Sequence, residues 1–275
     1  MQSDRSTSTS ARPARPEITL ATTTSVRDSG LLEMIVPRFE SETRYRVKTV
    51  AVGSGKALEL GERGEADVLL VHAPDAEKAF MLAGNGAERR LVMHNRFVVV
   101  GPSDDPAKIR DAASVVDALR VIAASKATFV SRGDNSGTDQ FEKRLWKQAG
   151  VAPGGESWYV ETDQGMGATL AVASERRAYA ISDRATYLAS RDRLHDLDVL
   201  VGGPRDLLNV YHVITVNPSK SDTVNAEGAR AFADFVVSED TQKVIGQFGR
   251  NRYGEQLFSP DAGKSDDEGS LDRAA

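Results

Sequence analysis

The stretch ITLATTTSVRDSG, residues 18–30, runs from a short apolar segment into three threonines and a serine. The segment that follows, SGLLEMIVPRFE, places Leu31, Leu32, Ile35, Val36 and Phe39 on one helical face. The pattern predicts a buried strand, then a helix, with the hydroxyls at the joint. The same alternation continues. YRVKTVAV, ADVLLVHA and RFVVVGP read as strands, and GKALELGERG, DAEKAFMLAG and ASVVDALRVIAAS as the helices that follow them. A second set comprises ATFVSR, SWYVETD and AYAIS as strands, with GTDQFEKRLWKQAG, GMGATLAVASERR and RATYLASR as helices. Val-rich strands separated by amphipathic helices predict an α/β protein with largely parallel sheets.

Two segments resemble each other, NRFVVVGPSDDP at 95–106 and NVYHVITVNPSK at 209–220; each is Asn, an aromatic residue, a β-branched run and then Pro. If they pair as strands crossing between two lobes, the chain leaves one lobe near residue 100, builds a second, and returns near 213. Lobe I is then 17–100 with 214–258, and lobe II is 101–213. AEGARAFADFVVSEDTQKVIGQFG, read as one long helix, completes lobe I. Two lobes joined by two crossing strands would close on a ligand by hinge motion. The alternative is one continuous doubly wound sheet. Residues 1–16, rich in Ser and Pro, read as a flexible tether of the kind left when an export signal is removed, and the polar segment 259–275 as a disordered tail.

Length, composition and charge narrow the function classes. The 275 residues carry 40% hydrophobic and 27% charged side chains and a net charge of −5, which argues against a broad basic face for nucleic acid. An acidic body that binds an anion must do so locally, with aimed dipoles. Cysteine is absent, which removes disulfides, thiolate catalysis and Cys-ligated metals. The four histidines, His72, His94, His195 and His212, are far apart in sequence and show no ligand spacing, so they read as structural.

Candidate chemistry sits at the strand-to-helix joints. Thr23, Thr24 and Ser25 lie where the unpaired N–H groups and positive dipole end of a helix favour an anion. One capping hydroxyl would suffice for the helix alone. A second joint, FVSRGDNSGTDQFEKRLW, offers Arg132, Ser136 and Thr138 together with Gly137, whose backbone a ligand can approach closely. VGSGKALELG is a third, with Ser54 and the amide of Gly55; Val50 and Ala57 stand where a phosphate-binding P-loop needs Gly and Ser or Thr, so it is not one. TDQGMGATLAVA is a fourth, exposing backbone at Gly165 and Gly167. No G-x-S-x-G elbow surrounds Ser136, which argues against a serine hydrolase. Asp134 and Asp139 read as braces for their loop or for an Arg.

Taken together, ATTTS, AVGSGKALELGERGEADVLLVHAP, SRGDNSGTD, DQGMGATLAVA and ISDRATYL resemble, in order, the signature segments of the tungstate-binding proteins of ABC importers. The resemblance implies a type II periplasmic-binding-protein fold, a ligand in the cleft, no catalysis, no cofactor, and delivery of tungstate or molybdate to a membrane permease. It further implies a monomer working in the periplasm or outside the cell, tethered as a lipoprotein before processing. Carried over by position, it implicates Thr23, Thr24, Ser25, Ser54, Arg132, Ser136, Gly137 and Thr138. Asp139 departs from the family pattern, where His is common, and Ser54 replaces a common Thr. Rival readings are a binding protein for molybdate, sulfate or phosphate, a ligand-sensing domain of the same fold, and an enzyme. Phosphate keeps a proton at neutral pH and needs a carboxylate acceptor, which Asp134 or Asp139 could supply.

Overall fold

The computed structural model describes residues 13–202 and 207–265. Strand β1 (Glu17–Thr23) leads into α1 (Thr24–Asp28) and α2 (Leu31–Thr43); β2 (Arg46–Val52), α3 (Ser54–Glu62), β3 (Val68–Val71) and α4 (Pro74–Leu82) follow. The long β4 (Gly86–Pro102) precedes α5 (Val115–Ser125), β5 (Phe129–Ser131), α6 (Gly137–Ala149), β6 (Tyr159–Glu161), α7 (Met166–Glu175), β7 (Ala180–Asp183), α8 (Arg184–Ser190) and β8 (Leu197–Gly202). The chain returns through β9 (Leu208–Val216) and ends in α9 (Ala226–Val237), α10 (Glu239–Gln247), α11 (Arg250–Tyr253) and β10 (Ser259–Pro260). No helix among the described residues is long and apolar enough to cross a membrane.

Strand β4 organises the sheets. Its first part pairs antiparallel with β9 and its last part with β7 and β8, so it runs through two sheets that share it. The first sheet has the order β10-β4-β9-β3-β1-β2. The two Asn-led segments meet only at their first residues, Asn95 standing opposite Asn209 with Asn209 Nδ2 donating to Asn95 Oδ1 at 2.9 Å; beyond that point 97–102 pairs with β7 and β8, and 210–216 with the earlier part of β4 and with β3. One core gathers Phe39, Tyr45, Phe232 and Phe235 beneath β1; another gathers Phe97, Phe129, Phe141, Trp146 and Trp158 beneath β7 and β8.

Four expectations need correction. The sheets are mixed: β2-β1-β3 and β5-β6 are parallel, whereas β3-β9 and every pairing of β4 are antiparallel, because a crossing pair must run in opposite directions. The hydroxyl run does not start the helix at Leu31; a five-residue α1 intervenes, and Gly30 at φ 83° turns the chain into α2. The long C-terminal helix is two, because Ser238 leaves helical geometry at ψ 149° and its hydroxyl caps α10 by accepting from Thr241 N. The tail is fixed through residue 265: Leu257 and Phe258 are buried, β10 pairs with β4, and buried Asp261 accepts from His94 Nδ1 at 2.6 Å and from Lys264 Nζ at 2.7 Å. A polar composition misled there, since the carboxylate is buried with partners rather than solvated. Residues 266–275 and 1–12 lie outside the described residues. The last part of the expected tether is held, with Asn225 Nδ2 donating to Arg15 O at 2.8 Å.

Helix α6 buries a carboxyl among its aromatic residues. Glu142 is 1% exposed, its Oε1 accepts from Tyr159 OH at 2.7 Å and Trp146 Nε1 at 3.1 Å, and burial pushes its pKa up to about 8. Its reference value is 4.5, so as pH rises through the interval between the two values the unfolded chain loses this proton first and the folded state loses stability. Glu142→Gln keeps the acceptor oxygen and cannot ionise. Melting temperature measured between about pH 5 and 8 should fall less steeply in Glu142→Gln than in the parent protein; equal slopes would show that the carboxyl does not titrate as described.

Candidate anion-binding site

The strand-to-helix joints named by the sequence meet at one place. A Cβ on Gly53, the N-cap of α3, would stand 3.3 Å from Ser136 Cα, and one on Gly55 would stand 3.2 Å from Asn135 Nδ2, so the starts of α3 and α6 abut. A Cβ on Gly137 would stand 2.5 Å from His72 O, a separation no side chain tolerates, so the start of α6 also presses on the end of β3. His72 Nε2 lies 3.3 Å from Ser25 Oγ in α1. Thr24 meets Arg132 Nη2 at 3.2 Å, and a Cβ on Gly165, the N-cap of α7, would stand 3.3 Å from Thr24 Cβ. The starts of α3, α6, α1 and α7 and the ends of β3 and β5 are therefore linked neighbour to neighbour, and this half-ring is the candidate site. Neither Gly53 nor Gly165 offers a capping side chain, which leaves the first-turn amides of α3 and α7 without an internal acceptor.

Within this half-ring the hydroxyls divide their work. Thr22 donates to Leu70 O at 2.8 Å and belongs to the sheet. Thr23 accepts from Val26 N and lies 3.0 Å from Ser25 Oγ, so it caps α1. Ser136 caps α6, accepting from Asp139 N. Ser54 and Thr138 are completely buried, yet Ser54 Oγ and Thr138 Oγ1 have no hydrogen-bond partner. Gly167 stands somewhat apart: a Cβ there would face Asp28 Oδ2 at 3.4 Å, in a groove shared with Ser190, although its amide stays in the first turn of α7.

Arg132 is 1% exposed. Its Nη2 donates to Asp134 Oδ2 at 2.5 Å, but Nε and Nη1 have no partner. One nitrogen thus braces the loop and two are unspent. The pairing sets the local electrostatics, since Asp134 offsets the guanidinium charge. Both oxygens of Asp134 are used, Oδ1 accepting from Ser136 N at 3.2 Å. Asp139 is likewise spent, accepting from Gly133 N, Asn135 N and Lys143 Nζ at 3.2, 3.1 and 2.9 Å. It shapes the 133–135 loop, and neither carboxylate is left to accept a proton from phosphate.

Two residues outside the predicted site set also line this region, His72, which the sequence reads as structural, and Asp183 of the ISDRATYL segment. His72 is 3% exposed with Nδ1 unpartnered, and burial together with the nearby Arg132 charge pushes its pKa down to about 3, so the ring is neutral. Asp183 is wholly buried; Oδ1 accepts from Thr186 N at 2.9 Å and Asn95 Nδ2 at 3.2 Å, Oδ2 has no partner, and burial raises its pKa. Both residues lie at C-terminal ends of strands, where open α/β sheets place their ligands, and that rule could have flagged them. Among the described residues, no cluster of three or more His, Cys, Asp or Glu could hold a cation.

A buried donor without an acceptor costs on the order of 1–3 kcal/mol, more when charged, and several such donors around one point call for a shared acceptor. A tetrahedral oxyanion has the right chemistry: it accepts everywhere and donates nowhere. Losing a charge-assisted hydrogen bond to it costs about 1.5–3 kcal/mol, roughly ten- to a hundred-fold in affinity. Arg132→Ala should therefore weaken oxyanion binding by that factor and, because it also removes the partner of Asp134 and Thr24, lower the melting temperature of ligand-free protein. A drop in melting temperature with intact affinity would make Arg132 only a brace for its loop.

Comparison with known proteins agrees with the geometry. A family model described as a PBP superfamily domain matches residues 7–240. The chain is 47% identical over 253 residues to a tungstate-binding protein TupA of Peptoclostridium acidaminophilum, covering 91% of this chain and 88% of the relative. Among solved structures, the tungstate ABC transporter protein of Geobacter sulfurreducens superposes with a TM-score of 0.78 at 44% identity, over 86% of this chain and all of the other. The tungstate-binding protein TupA of Desulfovibrio alaskensis G20 gives 0.74 at 46% identity, over 90% and 99%.

Proposed function

Since the chain belongs to the periplasmic-binding-protein superfamily and, within it, to the tungstate-binding proteins of ABC importers, we propose that it captures tungstate outside the cytoplasmic membrane and hands it to a membrane permease, without catalysing a reaction. It works as a monomer with two lobes, 17–100 with 214–258 and 101–213, that close over the anion. The observation that carries this reading is the set of buried donors lacking partners: Ser54 Oγ, Thr138 Oγ1 and Arg132 Nε and Nη1.

Ser54, Thr138 and Arg132 donate to the anion directly, joined by Thr24 and Ser25 from α1 and by the first-turn amides of Gly55, Gly137 and Gly167. Thr23 and Ser136 contribute through the caps that hold α1 and α6 in place. Tungstate is a dianion that is unprotonated at neutral pH, so a shell of donors suits it without burying several lysines. Donors drawn from both lobes stabilise only the closed state, which is how binding drives closure.

Asp134 and Asp139 already accept two or more hydrogen bonds each, so the acceptor that a protonated phosphate needs falls to Asp183 Oδ2, whose ionised form burial disfavours. Calorimetric titration of ligand-stripped protein should rank tungstate tightest, molybdate next, and phosphate without measurable binding. Phosphate binding more tightly than tungstate would overturn the assignment of the ligand and leave the fold untouched.

A further inference from the structure

The Asp183 carboxyl has no place in a cage made only of donors if it carries a charge. It is wholly buried at the N-cap of α8, and Oδ2 lacks any partner while Oδ1 is fixed by Thr186 N and Asn95 Nδ2. Helix α8 packs on α1 beside the hydroxyl run, Thr186 Oγ1 donating to Ser25 O at 3.4 Å. The groups around Asp183 come from every neighbouring element. From β5 comes Arg132, already paired with Asp134, and from β9 the buried Tyr211, whose hydroxyl accepts from Asn209 Nδ2 at 2.9 Å. From β3, neutral His72 packs on the Tyr211 ring, and on α8 itself Arg184 is turned away into a two-point ion pair with Glu255. Arg132 favours the ionised form of Asp183; burial opposes it.

We propose that Asp183 meets the bound oxyanion as a neutral carboxylic acid, its Oδ2–H donating to an anion oxygen, so that loading takes up a proton from solution. The proposal rests on the oxyanion-binding reading above. A dianion placed near a buried carboxylate repels it, whereas the acid adds a strong O–H···O⁻ donor at a carboxyl oxygen that has nothing else to bond. The proton goes onto Oδ2 as the anion enters and leaves with it on release. In the empty protein the Arg132 charge helps the carboxylate to form; the anion offsets that charge and tips the balance.

The linkage has a definite sign. Above the pH at which Asp183 ionises in the empty protein, affinity falls with rising pH by up to about tenfold per unit. Below it, affinity levels off. Asp183→Asn keeps the cap oxygen and places an N–H donor where the acid O–H stood, without titrating.

Titrate with sodium tungstate between about pH 6 and 9 in Pipes, Hepes and Tris, and read proton uptake from the dependence of the heat on buffer ionisation enthalpy. The parent protein should take up a proton and lose affinity as pH rises, Asp183→Asn should show neither effect, and His72→Gln should keep both. Binding with no uptake and constant affinity, uptake that persists in Asp183→Asn, or uptake that disappears in His72→Gln would each overturn the proposal while sparing the binding reading. Absence of tungstate binding by the parent protein would overturn both.

Discussion

A buried guanidinium with two unspent nitrogens constrains everything around it. Arg132 is almost wholly enclosed, and taking a guanidinium out of water costs several kcal/mol unless its donors are used. Asp134 and Thr24 use Nη2, which fixes the plane of the fork and leaves Nε and Nη1 aimed without acceptors. The neighbouring hydroxyls of Ser54 and Thr138 are in the same position. A compact oxyanion entering from outside can serve several of these donors at once.

The fold is what makes such a concentration of donors possible. Helices α1 and α3 begin at the ends of β1 and β2 in the first sheet, whereas α6 and α8 begin at the ends of β5 and β7 on the other side of β4. The long crossing pair of β4 and β9 turns the two sets of strand ends toward each other, with Asn95 and Asn209 hydrogen-bonded where the strands cross. Close approach then demands residues without side chains at the contacts. Gly53, Gly137 and Gly165 meet that demand, and at Gly137 even one methyl group would collide with the backbone of His72.

Much of this was legible from sequence, for reasons that can be named. The order of strands and helices follows the hydrophobic pattern closely, because most helices bury one stripe and the central strand β3 is apolar throughout. The Asn-led crossing strands were readable as a repeated segment, and hydroxyl and glycine pairs marked the joints. Strand direction was not, since a strand buried on both faces reads as an apolar run whichever way its neighbour points, and β3, β4 and β9 are of that kind yet pair antiparallel. Ser238 was lost within an amphipathic stretch because its capping action depends on backbone geometry. His72 read as structural, and Asp183 was not singled out within ISDRATYL, because each, in sequence, is a single polar residue after a strand; their roles depend on what long-range packing leaves unpartnered. The division of labour among Thr22, Thr23, Thr24 and Ser25 was hidden for the same reason, one hydroxyl serving the sheet, one a cap, one the guanidinium and one the His72 ring.

The central claim is that these orphaned donors share one acceptor. A crystal structure of the tungstate-loaded protein, with the metal located by its anomalous scattering, tests it most directly. The account predicts a single strong peak enclosed by Ser54, Arg132 and Thr138, with oxyanion oxygens within about 3.2 Å of Arg132 Nε and Nη1. A peak elsewhere, such as the groove beside Gly167 and Ser190, with Arg132 Nε and Nη1 still unpartnered, would contradict it.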